Sequence, residues 1–399
     1  MPFDLARLMP AITQLATYYA DELAPDLLAS STQAWALIQQ AHEEELRQAA
    51  QQHTLRVLAL PLEDPARAFP APPPIQTYRV LASDGSAMDP NPHLPARYLL
   101  LHCALAGLAY APPAYWTDHA THLLFRRDEL EVAYPGTGGP VAVEGPVVAT
   151  LRAYEELRLL WEGAQQLPAD PHGRPLLAMM DGIILWTHRG TGPGHDALKE
   201  DYLTRSVALL EEFRRALIPL VSFTSMPHHS EVVSTLLARF CTSAGRLACA
   251  ECRAPGNPCQ ALLGLEDRNL FGFLPEGARS ATFQPIYQGE TRWRLPGAVL
   301  GQDPSLVFFY VNTGEIARVE LPLWIQEAGL LDLVHGIVVD QCRARRAETP
   351  GFPVALDLAH HEAVLTPRDR GAIQMLVEEA LARRLIFAAP SAKARAKER

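Results

Sequence analysis

The spacing of apolar and polar positions divides the chain into a helical start, a strand-and-helix middle and a mixed end. From residue 4 to about 57, apolar residues recur at helical spacing among good helix formers. In "STQAWALIQQAHEEELRQAAQQH" Ser31 and Thr32 are candidate N-caps. Leu60 to Pro74, "LPLEDPARAFPAPPP", is expected to be an irregular linker, because proline fixes φ and lacks a backbone donor. From Tyr78 the period becomes that of strands. "YRVLAS", "RYLLLHCALAGLAY" and "HLLFRR" predict three strands joined by polar loops. An amphipathic helix is expected over Gly145 to Leu167, a strand in "PLLAMMDGIILW", and a helix in "DALKEDYLTRSVALLEEFRRAL". A short strand near "LIPLVSFTS" and a helix in "SEVVSTLLARF" follow. Two further strands flank the turn from Asn312 to Gly314, with helices near 326–346 and 368–384. The tail "SAKARAKER" is charged, rich in small residues and expected to be mobile.

Three strands, helix, strand, helix, strand, helix is the order that a ribonuclease H-like fold requires. The expected class is therefore α/β: a mixed sheet flanked by helices, with an N-terminal helical extension and C-terminal strand and helix additions. The corresponding division is a helical extension over 1–58, a Pro-rich linker over 59–76, a main domain over 77–388 and a flexible tail over 389–399. There is no internal repeat.

Two Asp-Gly pairs carry the candidate chemistry. In "TYRVLASDGSAMDP" an apolar run leads into Asp84-Gly85, where a turn is the simplest reading, since glycine takes positive φ without steric cost. In "RPLLAMMDGIILW" Asp181-Gly182 stands inside an apolar run that continues beyond it, so a turn does not fit there. A carboxylate within a buried strand is costly unless paired or bound to a metal. In a sheet of this order Asp84 and Asp181 can lie side by side, where a divalent cation relieves their repulsion. Oxygen donors suit Mg²⁺ and Mn²⁺, and two such ions can activate water and stabilise the leaving oxygen of a phosphodiester. The intervening helix offers Glu155 and Glu156 as a third carboxylate. Adjacent residues face about 100° apart, so only one can turn to the site; the plain alternative is that both lie on the surface. "GFPVALDLAHHEAVLTPRDRGAI" adds His360, His361, Glu362 and Asp369. A histidine beside a metal-bound phosphate can move a proton, although a His-His-Glu group on a helix is also an ordinary solvated face. His228 and His229 precede Ser230, a candidate helix cap, and are given no catalytic role.

Charge and composition narrow this little. With 399 residues, 48% hydrophobic and 20% charged, the chain reads as a soluble globular protein of one large domain or two. No apolar run reaches the roughly 18 residues of a membrane span, and the N-terminus lacks the basic region of a signal peptide, so the expectation is cytoplasmic with no membrane partner. The net charge of −10 argues against a nucleic-acid coat protein but not against a nuclease, whose metal ligands are themselves acidic. Lysine occurs only at Lys199, Lys393 and Lys397. Arginine suits phosphate contacts, and a GC-rich genome gives the same bias. Six cysteines do not make a disulfide scaffold. Cys241, Cys249, Cys252 and Cys259 have the spacing C-x7-C-x2-C-x6-C, which can hold structural Zn²⁺ or an iron–sulfur cluster within an insertion over 241–259; the alternative is a loop of reduced thiols.

From about Tyr78 to Leu385 the chain resembles the NurA DNA-repair nucleases. The blocks are "ASDGS", "MMDGIILW", "DRNLFGFLPEGARSATF", "FFYVNTGEIARVELPLWI" and "GFPVALDLAHHEAV", in the family's order. The resemblance implies a Mn²⁺-dependent, ribonuclease H-like nuclease that cuts DNA, forms a homodimer and works with HerA, a hexameric ATP-driven translocase, in end resection. It implies Asp84, Glu156 and Asp181 as metal ligands, Glu156 through the Arg-x-x-x-Glu-Leu pattern of Arg152 to Leu157. His360 matches the Ala-His histidine, Asp369 the Asp-Arg that follows, and Tyr310 the tyrosine of Phe-Phe-Tyr, a catalytic or structural position. Three departures stand out. His361 follows His360 where Glu is expected, leaving that register open. Met226 replaces an arginine, which puts a phosphate contact in doubt. Ala278 alters the Gly-Glu order, with Arg279 and Ser280 retained.

Two other functions fit the same fold: a non-catalytic DNA-end or translocase-binding subunit, and a ribonuclease H-like enzyme with another substrate. Loss of an acidic ligand favours the first, and none is lost; the C-terminal blocks speak against the second. A fold alone does not decide function.

Overall fold

A computed structural model describes residues 5–52, 57–94, 96–186, 188, 190–241, 256–287, 305–343 and 351–384. The chain divides into two compact units, each assembled from separated stretches of sequence. One comprises Pro72–Phe223, Arg294–Ser305 and Glu320–Arg399; the other comprises Met1–Ala71, Thr224–Trp293 and Leu306–Val319.

The strands are, in chain order, β1 (Val57–Pro61), β2 (Arg79–Met88), β3 (Leu99–Ala109), β4 (Ala114–Leu124), β5 (Glu131–Val132), β6 (Val141–Ala142), β7 (Leu176–Asp181), β8 (Leu220–Thr224), β9 (Phe283–Tyr287), β10 (Leu306–Asn312) and β11 (Ile316–Pro322). In the first unit the sheet order is β8-β7-β2-β3-β4. β2, β3 and β4 form an antiparallel meander, while β7 and β8 run parallel to β2. This mixed sheet, with helices on both faces, is the α/β arrangement that the order of elements predicts.

Alternation along each strand assigns the faces. Odd positions of β2 and β3 turn to the helix Pro146–Gln166: a Cβ at Gly163 of that helix would stand 2.3 Å from Leu105 and 3.4 Å from Leu81. Even positions turn to the helices Leu331–Arg343 and Val354–Ala363. There the Tyr78 hydroxyl donates to Asp340 and accepts from Gln341, and Ser86 bonds the end of the second helix.

In the other unit β1 pairs antiparallel with β9, and the order is β1-β9-β10-β11. Leu60 and Pro61, expected in an irregular linker, therefore lie in a strand, and Phe69 makes a further bridge to Arg279. The buried cluster includes Ile38, Leu46, Leu236, Phe271, Phe283, Phe308 and Tyr310.

Three expectations about helix caps change. Ser31 and Thr32 lie inside the helix Ala24–Ile38, bonding the carbonyls of Leu27 and Leu28. Ser230 is the N-cap residue of Glu231–Phe240 without a side-chain cap bond; the buried Asp267 carboxylate accepts from Val232 and Val233 instead. Among the described residues no helix is long and apolar enough to cross a membrane.

Candidate active site

The two Asp-Gly pairs occupy places opposite to those that local sequence suggests. Asp84-Gly85 is not a turn: β2 runs through it to Met88. Asp181 ends β7, and Gly182 takes φ +83°, a value that favours glycine. β2 and β7 pair in parallel as far as Ser83 and Met180, so the next step of that register sets Asp84 beside Asp181. Beyond this point Gly85–Met88 continue to pair with β3, while β7 has ended. The short strand beside the long one opens a notch at the carboxylates.

Gly85 makes the notch usable from the opposite face. It turns toward Pro146–Gln166, where a Cβ would stand 2.7 Å from Glu156 Oε1, 3.0 Å from Cys103 Sγ and 3.1 Å from Arg152 Cγ. Absence of a side chain at Gly85 therefore leaves the hollow that the Glu156 carboxylate fills. Its own amide donates to Asp84 Oδ1 at 2.7 Å. Glu156, not Glu155, is the helix carboxylate at the site. Its side chain is 6% exposed and 3.2 Å from Arg152 Nε, while Glu155 pairs with Arg158.

The carboxylates sense one another. Burial pushes Glu156 up to about 8; Arg152 opposes the rise, and Asp84 and Asp181 add to it. Asp181 is also raised, by the protein around its carboxylate and by Asp84, while the Gly182 amide and His360 hold it down. Burial, followed by Glu156, Glu155 and Asp84, pushes the Cys103 thiol well above its ordinary range, which leaves it an uncharged wall of the site.

His360 reaches Asp84 from Val354–Ala363, with Nδ1 2.7 Å from Oδ2; its side chain is 59% exposed and that of Asp84 15%. His361 instead bonds the Asp357 carbonyl of its own helix at 2.8 Å, so His360 is the histidine of the pair that reaches Asp84. Asp369 is not drawn into this group. Its carboxylate accepts from Thr366 N and Oγ1 in a capping box at the start of Pro367–Ala382. Tyr310 is a core residue of the other unit, its buried hydroxyl donating to Asp267 at 2.9 Å. Met226 is half-exposed with φ +45°. Cys241 ends the helix Glu231–Phe240 and Cys259 is buried in the turn Pro258–Leu262. Cys249 and Cys252 lie outside the described residues.

Arg152, Cys103 and Ser86 were missed as parts of the site. Only Arg152 left a signal, one helical turn before Glu156. Ser86 and Cys103 depend on strand pairing.

The donor set suits a hard divalent cation: three carboxylates from three elements, two of them raised in part by their neighbours. One buried oxygen, Glu156 Oε1, makes no hydrogen bond, although the Arg152 guanidinium lies 3.2 Å from it. Among the described residues no three His, Cys, Asp or Glu side chains are already gathered around one point. Asp84 is turned to His360 and Glu156 to Arg152, so an ion at this place shares those carboxylates with His360 and Arg152.

A mixed sheet with three carboxylates at a strand notch defines the class as an α/β protein with an acidic candidate active site. The NurA domain model matches residues 145–365, more than half of the chain, and the chain belongs to the NurA family. Glu156, Asp181, Tyr310 and His360 fall inside the match; Asp84 precedes it and Asp369 follows it. The chain is similar to a crystal structure of NurA with manganese, at 11% identity and TM-score 0.42, covering 79% of this chain and 91% of that one. It is also similar to a crystal structure of NurA bound to dAMP and manganese, at 12% identity and TM-score 0.30, covering 74% and 86%. A search of curated proteins gave no match.

Proposed function

We propose that this protein is a metal-dependent deoxyribonuclease that hydrolyses phosphodiester bonds at DNA ends during double-strand break repair. It works as a homodimer with a HerA-type ATP-driven translocase. The observation that supports the chemistry is geometric: the register of β2 and β7 brings Asp84 beside Asp181, and buried Glu156 lies behind Gly85, near enough for the three carboxylates to act on one another. The partner, the dimer and the repair role rest on the family resemblance.

An Mg²⁺ or Mn²⁺ ion held by these carboxylates supplies water activation and charge stabilisation at the phosphodiester. The chain supplies the rest. Gly85 keeps the floor of the site open for Glu156. Arg152 balances the acidic cluster and offers a guanidinium suited to a phosphate. His360, exposed beside Asp84, holds or moves a proton at Nε2 while Asp84 orients its Nδ1. Cys103, buried and uncharged, helps exclude water from the inner side.

The test is cleavage of end-labelled linear and single-stranded DNA in Mn²⁺, beside Asp84→Ala and a metal-free control. Cleavage lost in both controls supports the reading. A folded protein that does not cut, even with its translocase supplied, overturns it and leaves a DNA-end or translocase-binding subunit.

A further inference from the structure

Three side chains stand in a transverse row on the face of the sheet that carries Asp84. Ser86 of β2 is directly opposite His102 of β3, which is directly opposite Thr121 of β4. Two of them grip the end of Val354–Ala363. Ser86 Oγ donates to the Ala363 carbonyl at 2.6 Å, and His102 Nε2 lies 3.2 Å from the Glu362 carbonyl. A carbonyl only accepts, so Nε2 carries the proton. The Nδ1 atom lies 2.8 Å from the Thr121 hydroxyl, which can give or take that hydrogen bond.

The last carbonyls of a helix lack partners within it. Here the Val364 amide takes that of His360, and the sheet takes those of Glu362 and Ala363. His360 lies three residues before Ala363, and Asp84 two residues before Ser86 on the same face of β2. These spacings correspond to roughly 4.5 Å along the helix and about 7 Å along the strand. Strand and helix are therefore joined at two neighbouring points, His360 to Asp84 and Ala363 to Ser86, with His102 as a third tether beside them.

We infer that Ser86 and His102 are positioning residues that hold His360 in register with Asp84. The inference rests on the proposed role of His360. A cap that merely stabilises the helix has the same hydrogen bonds, so the test must report on His360 itself.

The experiment is a mutant cycle on DNA cleavage in Mn²⁺, with Ser86→Ala plus His102→Phe made in the wild-type and His360→Ala backgrounds. In the wild-type background kcat is expected to fall roughly ten- to hundredfold with KM nearly unchanged, as for a misplaced catalytic group. In the His360→Ala background the same pair should cost nothing further. His102→Gln, whose amide can donate in place of Nε2, should recover most of the loss. Thermal melting checks folding, and Ser86→Ala alone carries the comparison if the pair fails to fold. Equal proportional losses in both backgrounds overturn the inference, as does full activity of the Ser86 and His102 variants while His360→Ala is impaired. His360→Ala as active as wild type, in an enzyme that does cut DNA, defeats the role of His360 on which the inference stands. Absence of metal-dependent cleavage in the wild type defeats the nuclease reading itself.

Discussion

Replacing Glu156 by glutamine should make the metal-free protein more stable while removing its response to metal. The carboxyl is raised from 4.5 to about 8, first by burial and then by Asp84 and Asp181 against the pull of Arg152. Between these two values the folded state holds a proton that the unfolded state has released. Stability is therefore intact below pH 4.5 and falls as pH rises toward 8. At about 1.4 kcal/mol per pH unit, the penalty is on the order of 3 kcal/mol at pH 7 and 5 kcal/mol above pH 8. Glutamine matches the shape without the charge, and Arg152, whose side chain is 42% exposed, can turn to water. In EDTA the Glu156→Gln protein should melt near the wild type at pH 5 and several degrees above it at pH 8. Mn²⁺ should reverse the order, because an ion bound only by the folded wild type stabilises it by mass action. A variant that melts with or below the wild type at pH 8 in EDTA would refute the argument that this carboxylate is held at a cost. A wild type whose melting ignores Mn²⁺ would refute the use assigned to that cost.

Other expectations follow from particular contacts. Gly85→Ala brings a methyl within 2.7 Å of Glu156 Oε1 and should cost about 1–3 kcal/mol on melting, with a larger loss in Mn²⁺ affinity by calorimetry. Tyr310→Phe removes the phenol donor to buried Asp267 and should destabilise by about 1–3 kcal/mol, with the metal dependence of cleavage kept. His188 is buried against Thr150 and His195, and burial, then Lys199, lowers its pKa from 6.5 to about 4. The unfolded chain takes up this proton first, so stability is full above pH 6.5 and declines by roughly 3 kcal/mol as pH falls to 4. His188→Gln should flatten that part of a melting-temperature profile against pH.

The class of the fold was legible, and the carboxylates proposed for the site stood out in the sequence, because both depend on local signals. The alternation of strands and helices is a matter of period, and Asp84, Glu156 and Asp181 stand in short distinctive blocks. Choices set by long-range contacts were not legible. Ser230 looks like a cap, but Asp267, dozens of residues away, does the capping. Asp369 differs for a local reason: it looks like one more carboxylate for the site, yet Thr366, three residues before it, donates to its Oδ2 from both N and Oγ1 in a capping box. His360 and His361 are equivalent neighbours until the helix is laid on β2, when one reaches Asp84 and the other folds back on its own turn.

The Asp-Gly pairs show how two residues can come together through local geometry opposite to the expected one. Sequence placed the turn at Asp84 and the continuous strand at Asp181; the structure has them the other way round. What matters is the difference between the two strands. If β7 ran on as far as β2, its residues would fill the edge beside Gly85, and Glu156 could not meet the aspartates from the opposite face. If β2 stopped with β7, Ser86 would not be there to bind Ala363, and His360 would lose a tether. A long β2 beside a short β7 satisfies both demands. Gly85 serves the longer strand by having no side chain, and Gly182 ends the shorter one by taking positive φ. The two glycines follow the two aspartates for different physical reasons, and only strand pairing tells those reasons apart.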